Sequence, residues 1–251
     1  MRKSGKKLAS VMMAAAMVLS LAACSSQSTT ETTPAETATE ASKETTAEET
    51  TEVETEAPAE ENQQADIVVI GGGGAGMTAA IQAVQDGATD VIILEKMAAT
   101  GGNTTRSTGG LNAAGTSYQE DEEIEDSVEL FVEDTMKGGK ELNDKELVTV
   151  MAENSADAVD WVNEIGGDLS VVGMFGGASV KRIHRPSDTS AVGPMLVKTL
   201  NAKVEELGIP VLLETKAEKI LTDAEGKVCG VTVTDKDGET YTIDCTAVIL
   251  A

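Results

Sequence analysis

The residues with the clearest chemical meaning lie together at Gly71-Gly72-Gly73-Gly74-Ala75-Gly76, which satisfies G-x-G-x-x-G. Backbone N–H groups bind phosphates, and they reach a ligand only where no Cβ stands in the way. In such a loop Gly71 permits a tight turn, Gly73 lets the backbone approach a pyrophosphate, and Gly76 lets a helix pack closely on a sheet. Glu95 follows 19 positions after Gly76, where a carboxylate accepts hydrogen bonds from ribose hydroxyls. The chemistry this spacing predicts is dinucleotide binding. A second candidate is Thr100 to Ala114, a long run of glycines and small hydroxyl residues. Such a run has little to pack with, and it suits backbone laid along a large, flat, polar ligand.

These loops need rigid elements on either side. Asp66 to Ile70 is a continuous apolar run, the pattern of a strand buried on both faces of a parallel sheet. Met77 to Val84 reads as a helix of small residues, and Val91 to Leu94 as a second buried strand ending at Glu95. Strand, glycine loop, helix, strand and acid therefore occur in the order a nucleotide-binding α/β unit requires. Further on, the spacing predicts helices over Ser127–Lys137, Asp144–Asn154, Ser155–Ile165 and Val192–Leu207, the last closed by Gly208. Trp161 falls on an apolar helix face and is expected in the core. Val211–Glu214 and Lys219–Thr222 read as strands, and Val228–Thr234 with Thr240–Ile243 as a hairpin about Lys236-Asp237-Gly238. The fold class expected is α/β, a Rossmann-like domain with an inserted β-meander.

Composition removes other classes of function. The chain of 251 residues carries 43 acidic and 19 basic side chains, a formal charge of -24, which argues against nucleic acid and against a basic membrane-docking face. Cys24, Cys229 and Cys245 are too few and too scattered for a metal cluster, and His184 is the only histidine, so no metal site is expected. Mirrored about the hairpin turn, Cys229 and Cys245 fall nearly opposite each other. A disulfide and two reduced, half-buried thiols are both open readings. His184 lies between Arg182 and Arg185, which disfavours its imidazolium form. It is expected to be structural or cofactor-adjacent, so no catalytic residue is assigned.

The first 64 residues read as something other than a packed domain. Arg2, Lys3, Lys6 and Lys7 precede an apolar stretch from Leu8 to Leu21, too short to span a bilayer comfortably. Leu21-Ala22-Ala23-Cys24 resembles the lipobox of bacterial lipoproteins, which implies lipidation of Cys24; a plain secretory signal is the alternative. Residues 25–64 are rich in Ser, Thr, Glu, Ala and Pro, with eleven glutamates from Glu31 to Glu61, and are expected to form an extended, disordered linker. The expected location is outside the cytoplasm, lipid-anchored on the outer face of the cytoplasmic membrane.

Taken with the glycine loop, the segments Glu133–Gly139, Gly173–Val180, Arg182–Pro186 and Val248–Ala251 resemble the fumarate reductase/succinate dehydrogenase flavoprotein family. The likeness is to its soluble fumarate reductase branch, with urocanate reductases and flavocytochromes, and it runs over residues 65–251. It implies a glutathione-reductase-like FAD-binding domain, C-terminally truncated, with the cap domain and the catalytic residues beyond residue 251. By the same resemblance Gly71, Gly73, Gly74, Ala75 and Gly76 cradle the pyrophosphate, and Glu95 holds the ribose with Lys96 beside it. Asn103, Thr104, Gly109 and Gly110 line the flavin and its phosphates, Ala217 meets the adenine, and Ala251 touches FAD at the end of its strand. Relatives with covalent FAD use a histidine in the loop matching residues 101–110; this loop has none, which implies noncovalent FAD. Ser187 to Ser190 departs from the glycine-rich pattern of the family. The implied reaction is reduction of an activated C=C bond in a small carboxylate, of fumarate or urocanate type. Hydride would come from FAD N5 and electrons from an external flavin- or haem-bearing donor. The alternatives are a dehydrogenase or oxidase of aspartate oxidase or ketosteroid dehydrogenase type, or a non-catalytic, lipid-anchored flavin-binding protein.

Overall fold

Four short strands of almost purely apolar residues make the centre of the protein, which a computed structural model describes over residues 63–251. The chain begins with β1 (Gln63–Gln64), β2 (Ile67–Ile70), α1 (Gly74–Gln85) and β3 (Val91–Leu94). A 3-10 turn (Thr104–Arg106) then leads into β4 (Leu111–Asn112) and α2 (Ser117–Asp121). Next come α3 (Val128–Gly138), α4 (Lys145–Glu153), α5 (Ser155–Glu164), β5 (Val171–Gly173) and β6 (Ile183–Arg185). The last part holds α6 (Val192–Glu206), β7 (Val211–Leu212), β8 (Lys216–Thr222), β9 (Val228–Thr234), β10 (Thr240–Asp244) and β11 (Ala247–Leu250).

The strands form three sheets, ordered β11-β2-β3-β7, β1-β10-β9-β8 and β4-β6-β5. The first is parallel throughout and is sandwiched between two layers. Alternation along β2 and β3 decides which residue meets which layer. Val69 and Ile93 pack with Met77, Ala80 and Ile81 of α1 and with Leu200 and Val204 of α6. Val68 and Ile92 face the other way, onto Val231, Val233 and Ile243 of the meander. Burying both faces explains why these strands are apolar at every position.

Most expected elements are found, with instructive differences at their ends. Ser127 and Asp144 are N-caps rather than helical residues: the Ser127 hydroxyl accepts from Leu130 N–H, and the Asp144 carboxylate from Glu146 and Leu147 N–H. Helix α1 starts at Gly74, three residues before Met77, so Gly74 and Gly76 fall inside its first turn and Gly73 is its N-cap. Gln63–Gln64, assigned to the linker by composition, pair in parallel with β10. Residues 1–62, including the leader, Cys24 and the rest of the linker, lie outside the described residues. Trp161 is half-buried at the margin of the core, its indole N–H donating to Gln85 at 3.2 Å. Cys229 and Cys245 do lie opposite each other, joined by a backbone hydrogen bond of 3.3 Å, and both are free. They are not a half-buried pair: Cys229 is exposed, whereas Cys245 is buried, and burial pushes its thiol pKa up. The sheet β4-β6-β5 has no counterpart in the sequence reading, because its strands are only two or three residues long. Among the described residues, no helix is long and apolar enough to cross a membrane.

Candidate cofactor site

The glycine loop sits at the carboxyl ends of the parallel strands, where α/β sheets open to ligands. Gly71 turns the chain out of β2 at φ +115°, and a Cβ there would lie 2.5 Å from the carbonyl oxygen of Ala251. A Cβ on Gly76 would collide with the carbonyl oxygen of Gly71, so the helix rests directly on the turn. Gly73 is different: no atom lies within 4 Å of where its Cβ would be. Its backbone therefore borders open space, beside the first-turn N–H groups of α1 that have no partner within the helix. Glu95, buried at the end of β3, accepts from Gly72 N–H through one oxygen and from Met97 N–H through the other, both at 2.8 Å. Each carboxylate oxygen keeps a lone pair for a ribose hydroxyl. Lys96 is exposed beside it.

The 100–110 loop is held against this cradle. Gly101 N–H donates to the Gly72 carbonyl at 2.7 Å, and the Thr104 hydroxyl accepts from Gly74 N–H at 3.1 Å. The Thr100 hydroxyl donates to Asn201 of α6 at 2.8 Å, and Gly193 N–H of α6 donates to the Ser107 carbonyl at 2.9 Å. Asn103 is exposed and caps the 3-10 turn without a side-chain hydrogen bond. Gly109 and Gly110 pass against Ile183 of β6, one step before β4 pairs with it through Leu111 and His184. Ala217 in β8 lies two residues after Thr215, whose N–H donates to the Glu95 carbonyl at 3.0 Å. Ala251 N–H donates to the Ile70 carbonyl at 3.0 Å and closes the same corner. Gly71, Gly73, Gly74, Gly76, Glu95, Thr104 and Ala251, with Ala75 in the same helical turn, are thus brought together at one corner. Gly109 and Gly110 continue it toward the small sheet.

Beneath that small sheet lies a buried polar network. The His184 ring is fully buried, with Nδ1 3.0 Å from the Arg182 carbonyl and Nε2 2.8 Å from the Thr116 hydroxyl. A carbonyl only accepts, so Nδ1 carries the proton and Nε2 accepts from Thr116. Thr116 and Gln119 form a capping box at α2, and Gln119 Nε2 donates to Asp126 at 2.9 Å. Arg182 makes a two-pronged contact with Asp126 at 3.1 and 2.8 Å, pairs with Asp134 at 3.1 Å, and stacks 4.8 Å from the Phe131 ring. The His184 pKa is lowered, as expected from sequence, but the cause differs. Burial is the main one, opposed by the hydrogen bond to Arg182 and by the charges of Asp160 and Asp126. The Arg182 charge is neutralised by its two carboxylates, so it does not repel an imidazolium.

A family model described as an FAD binding domain matches residues 66–251. The chain belongs to this FAD-binding family. Among its relatives is a fumarate reductase (cytochrome) from Shewanella frigidimarina, 45% identical over 186 residues. That alignment covers 74% of this chain and 32% of the relative. A urocanate reductase from Eggerthella lenta is 37% identical over 199 residues, covering 78% of this chain and 32% of the relative. A solved flavocytochrome c3 fumarate reductase in an open conformation superimposes with a TM-score of 0.72 at 39% identity, over 75% of this chain and 33% of that one. The chain therefore spans about a third of the length of these relatives.

The FAD-binding domain offers the dinucleotide a consistent set of groups. Open space at Gly73 meets open space at Gly102, whose would-be Cβ has no neighbour closer than the Cα of Gly73 at 3.9 Å. The two loops thus border the same open space. Sequence reasoning missed Gly72, whose N–H fixes Glu95, and Gly193, where any Cβ would strike the backbone of the 104–107 turn. The run of four glycines was the available signal for the first; nothing local marked the second. Thr116-x-x-Gln119 was legible as a capping box, but its tie to His184 spans 68 residues.

Proposed function

We propose that this FAD-binding domain serves a flavoprotein reductase acting on the activated C=C bond of a small carboxylate, of fumarate or urocanate type. The observation that carries the reading is the interlock of Gly72, Glu95 and Gly101 beside the open space at Gly73. It supports a dinucleotide held at its pyrophosphate and ribose, in a domain whose relatives include fumarate and urocanate reductases. Bound FAD would supply the hydride, from N5, to one alkene carbon. The residues of this chain bind and orient. Gly71, Gly73, Gly74, Ala75 and Gly76 would leave the phosphates facing N–H groups and the positive end of α1. Glu95 would take the ribose hydroxyls, with Lys96 beside it; Ala217 would border the adenine and Ala251 the loop. Asn103, Thr104, Gly109 and Gly110 would line the flavin side. The absence of histidine from residues 101–110 supports noncovalent attachment. His184, neutral and enclosed in the network, is not the proton donor in this reading, and the acid lies outside residues 63–251.

The same proposal extends to the cell. Cleavage before Cys24 and its acylation would place the domain on the outer face of the cytoplasmic membrane, behind an acidic spacer. Away from cytosolic NADH, it would take electrons from a flavin- or haem-bearing partner. The test is the visible spectrum of the protein lacking its leader, before and after acid precipitation, followed by reduced methyl viologen with fumarate or urocanate. A flavin band freed into the supernatant, with dye oxidation on adding an enoic acid, is the expected result. Flavin in the pellet would overturn noncovalent binding, and no flavin after reconstitution would overturn the cofactor reading.

A further inference from the structure

Arg185 is a charged side chain with no acid to pair with among the described residues, in a chain of 43 acidic residues against 19 basic. Its neighbour three positions earlier, Arg182, has two carboxylates. Strand geometry separates them. Successive side chains of extended chain point to opposite faces, so Arg182, just before β6, and His184 enter the buried network while Ile183 and Arg185 face the other way. That other face is where the glycine loop crosses: a Cβ on Gly110 would lie 2.7 Å from Ile183 Cγ1 and 2.9 Å from Arg185 Cγ. Of the guanidinium nitrogens, Nη2 donates to the Thr189 carbonyl at 3.0 Å. Nε is buried and has no hydrogen-bond partner. A buried N–H left unused on this half-buried, ionised group is costly unless something anionic or carbonyl-rich meets it.

We propose that Arg185 faces the redox ring of the cofactor and stabilises the negative charge that the ring takes up on reduction. The inference rests on the reading of Gly109 and Gly110 as the flavin-lining edge. A fixed cation there lowers the free energy of the reduced, anionic ring relative to the oxidised, neutral one, and so raises the midpoint potential. Arg185 has no ion-pair partner among the described residues, and the Thr189 carbonyl holds the guanidinium in place within the segment that departs from the family's glycine-rich pattern.

The experiment compares wild type, R185M and R185Q as FAD-loaded proteins. Dye equilibration gives the midpoint potential of the bound flavin, and absorbance titration the Kd for FAD and for fumarate or urocanate. The expected result is an R185M protein with native circular dichroism and full flavin content. Its two-electron equilibrium should move at least tenfold toward oxidised flavin, about 30 mV lower. R185Q, which keeps a donor but loses the charge, should shift equally; it decides the matter if R185M loses flavin or fails to fold. An unchanged potential in a flavin-loaded variant overturns the proposal. An unchanged potential with tenfold weaker carboxylate binding does so too, by assigning Arg185 to substrate. If wild type itself binds no FAD, the reading of the glycine edge fails, and this inference falls with it.

Discussion

Glu95 serves the fold directly and, on the proposed reading, the ligand as well. Both of its oxygens are engaged by backbone N–H groups, so the carboxylate is aimed before any cofactor arrives. E95Q replaces one acceptor with an NH2 that must face an N–H donor. We expect it to destabilise the domain by about 1–3 kcal/mol, read from urea unfolding, and to weaken FAD binding at least tenfold. A full-affinity E95Q protein would show that the carboxylate is only a structural tie. His184 makes a prediction about pH. As the only histidine, it is the side chain whose ordinary pKa lies between pH 5 and 8. Burial lowers its folded-state pKa, so the unfolded chain binds the extra proton. Stability from this group is therefore complete above about pH 6.5 and declines as pH falls below that toward the folded value. Wild type should lose urea midpoint between pH 7.5 and 5.5, and H184Q should show a flatter profile; parallel profiles would refute the assignment.

Among the elements, the small sheet β4-β6-β5 depends on partners that sequence distance hides. Arg182, just before β6, is held by Asp126 just ahead of α3 and by Asp134 within it. R182M leaves two carboxylates buried without their cation, and we expect a loss of about 3–5 kcal/mol, measured by thermal or urea unfolding. R182M combined with D126L and D134L should recover part of that loss, because the cost lies in the stranded charges. The parallel strands and the glycine loop were legible because their causes are local: apolar runs, turn glycines, a terminal acid. Helix caps at Ser127 and Asp144 were one residue from where periodicity placed them, since a cap carries the helix's hydrogen bonds without its dihedrals. The small sheet was not legible. Two- and three-residue strands leave too few positions for alternation, and the ties that hold them, Arg182 to Asp126 and His184 to Thr116, span 56 and 68 residues. Thiol reactivity offers a separate check on the meander. With the leader removed, one thiol, Cys229, should react rapidly with a colorimetric disulfide in the native state, and Cys245 only on unfolding. Two fast thiols would mean that the β9–β10 corner opens readily.

For the molecule as a whole, the ordering of the central sheet has a temporal meaning. Strand β2 lies between β3, its near neighbour in sequence, and β11, which comes after the entire meander. The two ends are stitched again where the Thr246 hydroxyl donates to the Asp66 carbonyl across 180 residues. Closing so long a loop carries entropy that must be met before the contact returns anything, so this pairing is slow compared with β2–β3. The carbonyl of Ala251 also walls the turn at Gly71. A ribosome or translocation channel releasing the chain from its amino end would thus deliver the glycine loop well before its wall. Until residue 251 emerges, one edge of β2 stands unpaired, a template for the wrong strand, and a cell making this protein would have to shield that edge for the whole interval between the two.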